Sequence, residues 1–334
     1  MKLKFICVII VIWAGLLAGC QSTRKNYTHL EGQAQGTTFR IVYNDSLARD
    51  YSHAVDSLFR VIDHSMSLWD STSVISGFNA NRSYVRADPH FTTVFRRAQE
   101  VAADTEGYFD PTVGPLVKAW GFSYKKGLPQ PDSARVDSLL RWVGYQRTRL
   151  EEGRLLKDIS GIEIDFNAIA QGYTVDVIAG FFKSKGIKNY LVEVGGEVRA
   201  EGENERGETW HIGIDKPTDK GEAGRPLQTV VPLSGRALAT SGSYRKFVER
   251  DGRRYSHAID PHTGYPITHR LLSISVIADD CMTADAYATA FLVMGLEKAL
   301  PIAKARNLEL YGIYEGDEGT LQTYSTPGFV EEKE

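Results

Sequence analysis

The chain has 334 residues, a formal net charge of −3 and 42% apolar residues. A chain of this length can bury a large core without disulfide cross-links. A near-neutral charge without any Lys/Arg block argues against a nucleic-acid partner. Two of the three cysteines, Cys7 and Cys20, lie in the first twenty residues, so Cys281 cannot form an internal disulfide.

Residues 1–19 are typical of a secretory signal peptide. Basic residues precede the apolar run 5–17, and Leu17-Ala18-Gly19-Cys20 follows as a lipobox-like sequence. The run is shorter than the roughly 18 apolar residues of a membrane-spanning helix. We therefore expect cleavage before Cys20 and a lipid anchor on Cys20, with a polar tether over residues 20–31. This predicts a protein on the periplasmic side of the cell membrane, and the alternative is a retained N-terminal anchor helix.

The next segments predict one strand and two helices. Residues 37–43 alternate between polar and apolar side chains, as in a half-buried strand. Apolar residues recur at helical spacing over residues 54–66 and again over residues 89–103. We interpret both apolar stripes as core.

The stretch from residue 107 to residue 124 combines glycine and proline with aromatic residues. Its five aromatic side chains are Tyr108, Phe109, Trp120, Phe122 and Tyr124. This composition predicts a formed loop with a flat apolar wall, which suits a planar ring system because aromatic rings favour offset stacking. In the alternative interpretation, the rings fill the core under a long loop.

The middle of the chain predicts a helix, two hairpins and a strand that leads into a second helix. The helix covers residues 131–143, and the hairpins turn at Glu152-Gly153 and Gly195-Gly196. Residues 162–166 alternate as a strand, and residues 170–182 have helical periodicity.

The start of that second helix is a candidate anion site. Free backbone N–H groups at Gln171-Gly172 would attract an anion. The alternative is an ordinary helix start with Asn167 as N-cap.

The stretch 253–266 carries several polar side chains on a short strand and a stiff turn. Its proline and glycine residues favour a rigid, sharp bend. Such a bend can position polar side chains, here Ser256, His257 and Asp260. The alternative is a surface hairpin with ordinary turn residues. The sequence Ser241-Gly242-Ser243 before it resembles a phosphate loop only weakly.

The C-terminal part predicts a strand at 271–278 and an apolar helix at 282–294 that begins after Asp279-Asp280. Asp285 and Thr289 share one face of this helix, and such oxygen groups, with a carbonyl from elsewhere, are ligands that Mg²⁺ prefers. We expect Asp285 to be exposed; the alternative role is a capping or salt-bridging carboxylate. Cys281 is predicted to be buried packing.

The remaining predicted elements are a helix at 296–305 and strands at 308–313 and 321–325. No repeat or linker divides the body. We therefore predict a single α+β domain over residues 32–330, with mixed and antiparallel strands and helices packed against them.

Seven separate motifs of the chain resemble the ApbE family of FAD:protein FMN transferases, in its lipoprotein form. The resemblance covers residues 32–329 and rests on residues 36–38, 109–122, 165–176, 191–197, 239–245, 255–266 and 284–289. It implies a flavin cleft between two halves of the domain and Mg²⁺-dependent cleavage of FAD. FMN would be transferred to a Thr or Ser of a target protein, expected to be a membrane-bound redox subunit, and AMP would leave.

The resemblance also implies site residues by their positions in the motifs. The metal ligands would be the carbonyl of Ala168 together with Asp285 and Thr289. Positions that would hold FAD are Gln35, Phe78, Tyr108, Phe109, Asp110, Asp165, Gln171 and Ile259.

The chain departs from the family pattern at two positions. Ala288 stands where some relatives carry a second acidic ligand, which leaves open an extra water on the metal or a single metal site. Gln35 replaces a methionine that is common before Gly-Thr, so one nucleotide contact is in question.

His257 is the candidate base for the incoming hydroxyl, because imidazole titrates near neutral pH. The alternative for His257 is a residue that orients a loop or a phosphate. Two other functions stay open for the chain: an FAD pyrophosphatase that yields FMN and AMP, and a lipoprotein that binds FAD without turnover.

Overall fold

The computed structural model describes residues 26–122, 130–217, 226–244, 247–250 and 253–329. The predicted signal peptide, Cys20 and Tyr124 lie outside these residues. Eight helices in them are α1 Ser52–Met66, α2 Val74–Asn79, α3 Pro89–Asp104, α4 Gly114–Trp120, α5 Ser133–Leu140, α6 Ala170–Ser184, α7 Cys281–Met294 and α8 Leu296–Ala305.

The strands of the same part of the chain number fourteen. They are β1 Tyr27–Ala34, β2 Thr37–Asn44, β3 Thr148–Glu151, β4 Arg154–Lys157, β5 Tyr190–Val194, β6 Glu197–Glu201, β7 Trp210–Asp215, β8 Leu227–Leu233, β9 Arg236–Gly242, β10 Phe247–Arg250, β11 Arg253–Ser256, β12 Leu271–Ala278, β13 Glu309–Glu315 and β14 Leu321–Ser325. Two short 3₁₀ helices lie at Tyr145–Arg147 and Asp317–Gly319.

An eight-stranded sheet in the order β1-β2-β5-β6-β9-β12-β13-β14 forms the centre of the domain. Every ladder in it is antiparallel. The pairs β3-β4, β7-β8 and β10-β11 form three separate ribbons. The predicted single α+β domain is therefore confirmed.

Helices cover one face of the sheet. Ile41 and Tyr43 of β2 point to this face and pack with Phe182 of α6, whereas Val42 between them packs on the opposite side. Side chains of α7 and β12 continue the same layer as the largest core cluster. The period of two along each strand therefore decides which residues meet the helices.

The β7-β8 ribbon covers the other face of the sheet. Its residues Trp210 and Val231 pack against Leu238 of β9 and Ile277 of β12. Since both faces of β12 are covered, nearly every residue of this strand is buried. This explains why β12 is a continuous apolar run in the sequence instead of an alternating one.

Helix α7 is buried on all sides, with 12 of its 14 residues buried. A helix that is apolar all round needs such a position, and α7 has it between the sheet and its neighbouring helices α3, α6 and α8. None of the helices in the described part of the chain has the length and hydrophobicity needed to cross a bilayer.

Most predicted elements are confirmed, but the predicted tether 20–31 is too long. Residues 27–31 belong to β1, which pairs along its whole length with β2. The stretch 107–122 is also not all loop, because α4 lies within it. Helix α2 was not predicted from the sequence, since it is only six residues long.

The predicted strand at 162–166 is wrong. Its polar backbone groups are satisfied without a ladder, because the Asn79 side chain binds both Ile164 N (2.7 Å) and Ile164 O (2.8 Å). The N–H of Asp165 donates to Pro111 O at 2.7 Å, and a single parallel bridge joins Val113 to Glu163. A side-chain amide can thus replace a strand partner, which alternation of the sequence cannot reveal.

We expect Asp104→Asn to destabilise the domain by about 1–3 kcal/mol at pH 7. Asp104 accepts hydrogen bonds from Tyr287 Oη (2.6 Å) and Arg306 Nε (2.9 Å), which join α3 to α7 and to the end of α8. The Arg306 guanidinium holds the pKa of Asp104 below its usual range.

The contribution of Asp104 is therefore complete above the ordinary carboxyl pKa of about 4 and is lost as pH falls through the lower folded value. Urea unfolding at pH 7 and at pH 3 should show a smaller difference between variant and wild type at pH 3. An equal difference at both pH values would contradict this assignment.

Candidate active site

Asp285 lies where the first turn of α6 meets α7. The N–H of Gly172 donates to Asp285 Oδ2 at 3.0 Å. Only 6% of Asp285 is exposed, so the expectation of an exposed carboxylate is wrong. The alternative of a capping role is correct in part: Asp285 caps the first turn of α6, while Asp280 caps its own helix α7 by accepting from Thr283 N.

Burial raises the pKa of the Asp285 carboxyl to about 7, and the hydrogen bond from Gly172 opposes this rise. A buried carboxylate is unfavourable unless a cation or several donors stabilise its charge. The surroundings of Asp285 therefore fit a bound cation.

Thr289 lies one turn after Asp285 on α7. Its Oγ1 is 3.1 Å from the hydroxyl of Ser241, at the end of β9. Ala168 lies two residues before α6 begins, and Gly172, which holds Asp285, follows it by one turn. Of the three predicted metal ligands, Ala168 therefore precedes the start of α6, and Asp285 and Thr289 lie on the second and third turns of α7, which contacts α6.

The donor types at these positions are a carboxylate, a hydroxyl and a backbone carbonyl, all of which are hard oxygen ligands suited to Mg²⁺. Within the described residues, no group of three or more His, Cys, Asp and Glu side chains is placed to hold a metal ion. Ala288 is fully buried in the main core cluster.

Gly172 is required at its position for a steric reason that the sequence pattern did not indicate. A Cβ on Gly172 would lie 2.3 Å from Cys281 O and 2.8 Å from Asp285 Cβ. Glycine therefore allows the backbones of α6 and α7 to approach closely, and this approach brings the N–H of Gly172 within reach of Asp285. A glycine inside a helical pattern was the available signal.

Most N–H groups at the start of α6, which were predicted to be free, donate hydrogen bonds within the protein. Ala170 N and Ile169 N donate to Phe166 O, and Gly172 N donates to Asp285. Asn167 is not the N-cap, because Ile169 occupies that position without a side-chain bond. The Asn167 N–H instead donates to Asp165 Oδ1 at 2.8 Å, and burial raises the pKa of Asp165.

The aromatic residues of 107–122 divide into two groups. Phe109 and Trp120 are each 3% exposed, and Phe78 of α2 is 6% exposed with its ring 4.9 Å from that of Phe91. These rings fill the core, as the alternative interpretation proposed. Tyr108 and Phe122 are only partly buried, so they remain able to contact a ligand.

Tyr108 is part of a polar aromatic group at the surface. Its ring centroid lies 4.5 Å from that of His262, and Lys298 Nζ lies 4.6 Å from the same ring. His262 Nε2 contacts Glu106 O at 2.9 Å. Residues 106–108 and the turn after β11 are therefore held together beside α8.

The carboxylate of Asp110 binds groups of the protein itself. Its Oδ1 accepts from Thr112 N (2.7 Å) and Thr112 Oγ1 (2.6 Å), and its Oδ2 accepts from Tyr145 N (2.9 Å). Burial raises its pKa, and these bonds oppose the rise. Asp110 thus orders the loop that carries Tyr108 and Phe109.

Residues 258–267 form a small hairpin that is packed and not merely a surface turn. Ile259 is 5% exposed and bridges to Pro266, and it packs in a cluster with Trp120. Trp120 Nε1 donates to Gly264 O at 2.8 Å. His257 precedes this hairpin, is partly buried and has its ring 6.3 Å from that of Phe122.

Gln35 and Gln171 bring two hairpin turns against α6. Gln35 and Gly36 form the β1-β2 turn with φ of 53° and 74°. The Oε1 atom of Gln35 is 3.1 Å from Thr174 Oγ1 on α6. A Cβ on Gly195, in the β5-β6 turn, would lie 3.0 Å from Gln171 Nε2. Both glutamines therefore border the same end of α6.

Comparison with known proteins gives one consistent family. The sequence matches the ApbE family over residues 35–312. FAD:protein FMN transferase from Haemophilus influenzae is 36% identical, with coverage of 96% of this chain and 95% of its own. The enzyme of the same name from Vibrio cholerae is 37% identical, with coverage of 94% and 95%.

Solved structures agree with the sequence comparison. The flavin transferase ApbE from Vibrio cholerae has a TM-score of 0.82 at 35% identity and covers 91% of this chain and 98% of its own. The apo form of the flavinyl transferase ApbE from Pseudomonas stutzeri has a TM-score of 0.81 at 31% identity, with coverage of 91% and 96%.

Gly172→Ala should destabilise the protein and weaken its site, because the added methyl group meets backbone atoms that cannot move without separating α6 from α7. We expect a loss of about 1–3 kcal/mol in the free energy of unfolding, measured by urea titration. The matched control is Gly180→Ala in the same helix, where an added Cβ meets nothing within 4 Å.

The control should gain about 0.5–1 kcal/mol, since alanine is the better helix former at an exposed position. Equal effects of the two substitutions would contradict the close approach at Gly172.

Proposed function

The chain belongs to the ApbE family and is an FAD:protein FMN transferase, and we propose that it uses Mg²⁺ to attach FMN to a Thr or Ser hydroxyl and releases AMP. The observation that carries the magnesium proposal is the buried Asp285 at the contact of two helix starts, with Thr289 one turn away.

Asp285, Thr289 and the carbonyl of Ala168 would hold the ion, and Ser241 would orient the Thr289 hydroxyl through its 3.1 Å contact. A bound Mg²⁺ would supply positive charge that stabilises the charge developing on the phosphate oxygens. The same charge would favour the ionised form of Asp285, whose buried position otherwise raises its pKa.

The proposed reaction exchanges one phosphorus–oxygen bond for another. The acceptor hydroxyl oxygen forms a bond to the phosphorus of the FMN half of FAD. The bond from that phosphorus to the bridging oxygen breaks, and AMP leaves with the electron pair. The hydroxyl proton passes to a base, and we propose His257 for this role because it is partly buried beside Phe122 and precedes the packed 258–267 hairpin.

We propose that the flavin lies against the partly buried rings of Tyr108 and Phe122. Phe78 and Phe109 are buried in the core cluster against which Tyr108 packs, and Ile259 is buried in the cluster against which Phe122 packs. These three side chains would support the wall without presenting a free face. Asp110 would keep the loop of Tyr108 in shape through its bonds to Thr112 and Tyr145. The remaining FAD positions, Gln35, Asp165 and Gln171, would contact the polar nucleotide part.

The decisive experiment incubates the full-length protein with FAD, Mg²⁺ and a flavin-accepting protein domain. We expect mass spectrometry to show FMN bound to a Thr or Ser of the acceptor, with AMP released in equal amount. Free FMN without acceptor labelling would indicate a pyrophosphatase instead. Intact FAD after addition of Mg²⁺ would indicate an FAD-binding protein without turnover.

The Asp285→Asn variant is the control for the metal assignment. Asparagine can still accept the Gly172 N–H, so the variant should fold, whereas the loss of charge should slow labelling by at least about a hundredfold. Wild-type labelling by this variant at saturating Mg²⁺ would show that Asp285 is not a metal ligand.

We also propose that the protein is a periplasmic lipoprotein anchored through Cys20, with a membrane-bound redox subunit as acceptor. The support is the lipobox-like sequence at Leu17-Ala18-Gly19-Cys20. Strand β1 begins at Tyr27, so a tether of six residues would keep the domain within roughly 20 Å of the membrane surface.

Cys20→Ser should move the protein from the membrane to the soluble fraction, because the variant has no thiol to carry the lipid. Cell fractionation measures this change, and unchanged membrane association would contradict the anchor.

A further inference from the structure

The start of α7 is held by a carboxylate from another helix. Asp176 of α6 accepts from Cys281 N at 3.0 Å through Oδ1 and from Met282 N at 2.8 Å through Oδ2. Asp280, the N-cap of α7, accepts from Thr283 N at 2.8 Å. The first three N–H groups of α7 are therefore all bonded to carboxylates, and two of them to Asp176.

The contact between α6 and α7 is reciprocal. Helix α6 presents Gly172 N–H and the Asp176 carboxylate, which lie one turn apart; helix α7 presents Asp285 and the Cys281 N–H, also one turn apart. Each helix thus caps the first turn of the other. The two bonds lie at different points along the contact, so together they restrict both rotation and sliding of α7 relative to α6.

Arg199 of β6 holds Asp176 in turn. Its Nη1 donates to Asp176 Oδ1 at 2.6 Å, and the two side chains are 25% and 15% exposed. A charged donor at this distance on a mostly buried carboxylate forms a strong hydrogen bond. The bond ties the α6–α7 contact to the central sheet.

From this geometry we propose that Asp176 is a positioning residue for the metal ligand Asp285. It acts by fixing the first turn of α7 against α6, and Asp285 follows on the next turn. The proposal rests on the proposed function, in which Asp285 binds Mg²⁺. Groups that orient metal ligands without touching the metal affect affinity by about 10-fold to 100-fold.

Asp104 provides the matched control. Asp104 lies at the end of α3. Like Asp176, it accepts a hydrogen bond from α7 and forms an ion pair with an arginine. Its partner on α7 is the Tyr287 hydroxyl, not the backbone at the start of the helix. Asp104→Asn should therefore reduce stability without moving Asp285.

The test measures binding of Mn²⁺, as a probe for the Mg²⁺ site, to the FAD-bound protein by the loss of the free Mn²⁺ signal in electron paramagnetic resonance. We expect Asp176→Asn to weaken Mn²⁺ binding by at least about tenfold, and Asp104→Asn to leave it within twofold of wild type. Unchanged affinity in Asp176→Asn, or equal weakening in both variants, overturns the proposal.

A second measurement needs no metal. In the metal-free protein, the Gly172 amide hydrogen should exchange at least about tenfold faster in Asp176→Asn than in wild type, because its bond to Asp285 is no longer held in place. Asp104→Asn should not change this rate beyond the effect of global stability. Wild-type protection of Gly172 in Asp176→Asn overturns the positioning role.

Two further variants separate the possible failures. If Asp285→Asn binds Mn²⁺ as wild type does, the metal assignment of the proposed function fails, even where Gly172 exchange still shows that Asp176 positions Asp285. If Asp176→Asn does not fold, Arg199→Gln replaces it, since it removes the charged bond that orients Asp176 and leaves the Asp176 carboxylate in place. It should weaken Mn²⁺ binding and Gly172 protection in the same direction, and wild-type values for both overturn the proposal.

Discussion

Two helix starts meet at the centre of this domain, and their contact is the constraint on which the site depends. Each start carries a partial positive charge, so bringing α6 and α7 together at these ends is unfavourable by itself. Asp285 and Asp176 offset this by each accepting N–H groups from the other helix. Gly172 makes the approach possible, because any side chain there would meet the α7 backbone. This packing arrangement also positions the candidate metal ligand Asp285.

The same contact links stability to function. Ionised Asp285 lowers the stability of the folded protein, since burial disfavours its charge and raises its pKa. It becomes favourable when a cation offsets that charge, which is the situation in the proposed reaction. The surrounding polar bonds, from Ser241 to Thr289 and from Arg199 to Asp176, maintain the positions of these groups before any ligand arrives.

The proposed flavin-binding side of the site is formed by loops that contact one another. Trp120 of α4 donates to Gly264 O, and Tyr108 packs edge-on against His262, so two segments far apart in sequence form one wall. Asp110, Phe109 and Ile259 are buried within this assembly. Their positions in the motifs resemble ligand-binding positions, and in the structure they support the partly buried ring of Tyr108.

The sequence by itself determined the helices with clear apolar stripes, the glycine hairpins, the α+β class and the family, because local periodicity and short motifs encode them. It also identified Asp285 and Thr289 as neighbours, since they lie one turn apart on one helix. Only the tertiary structure decided that Asp285 is buried, that Asp176 caps α7 and that residues 162–166 are held by Asn79 instead of a strand. Each of these depends on a partner more than 80 residues away in sequence, and no local pattern reports the distance between such groups.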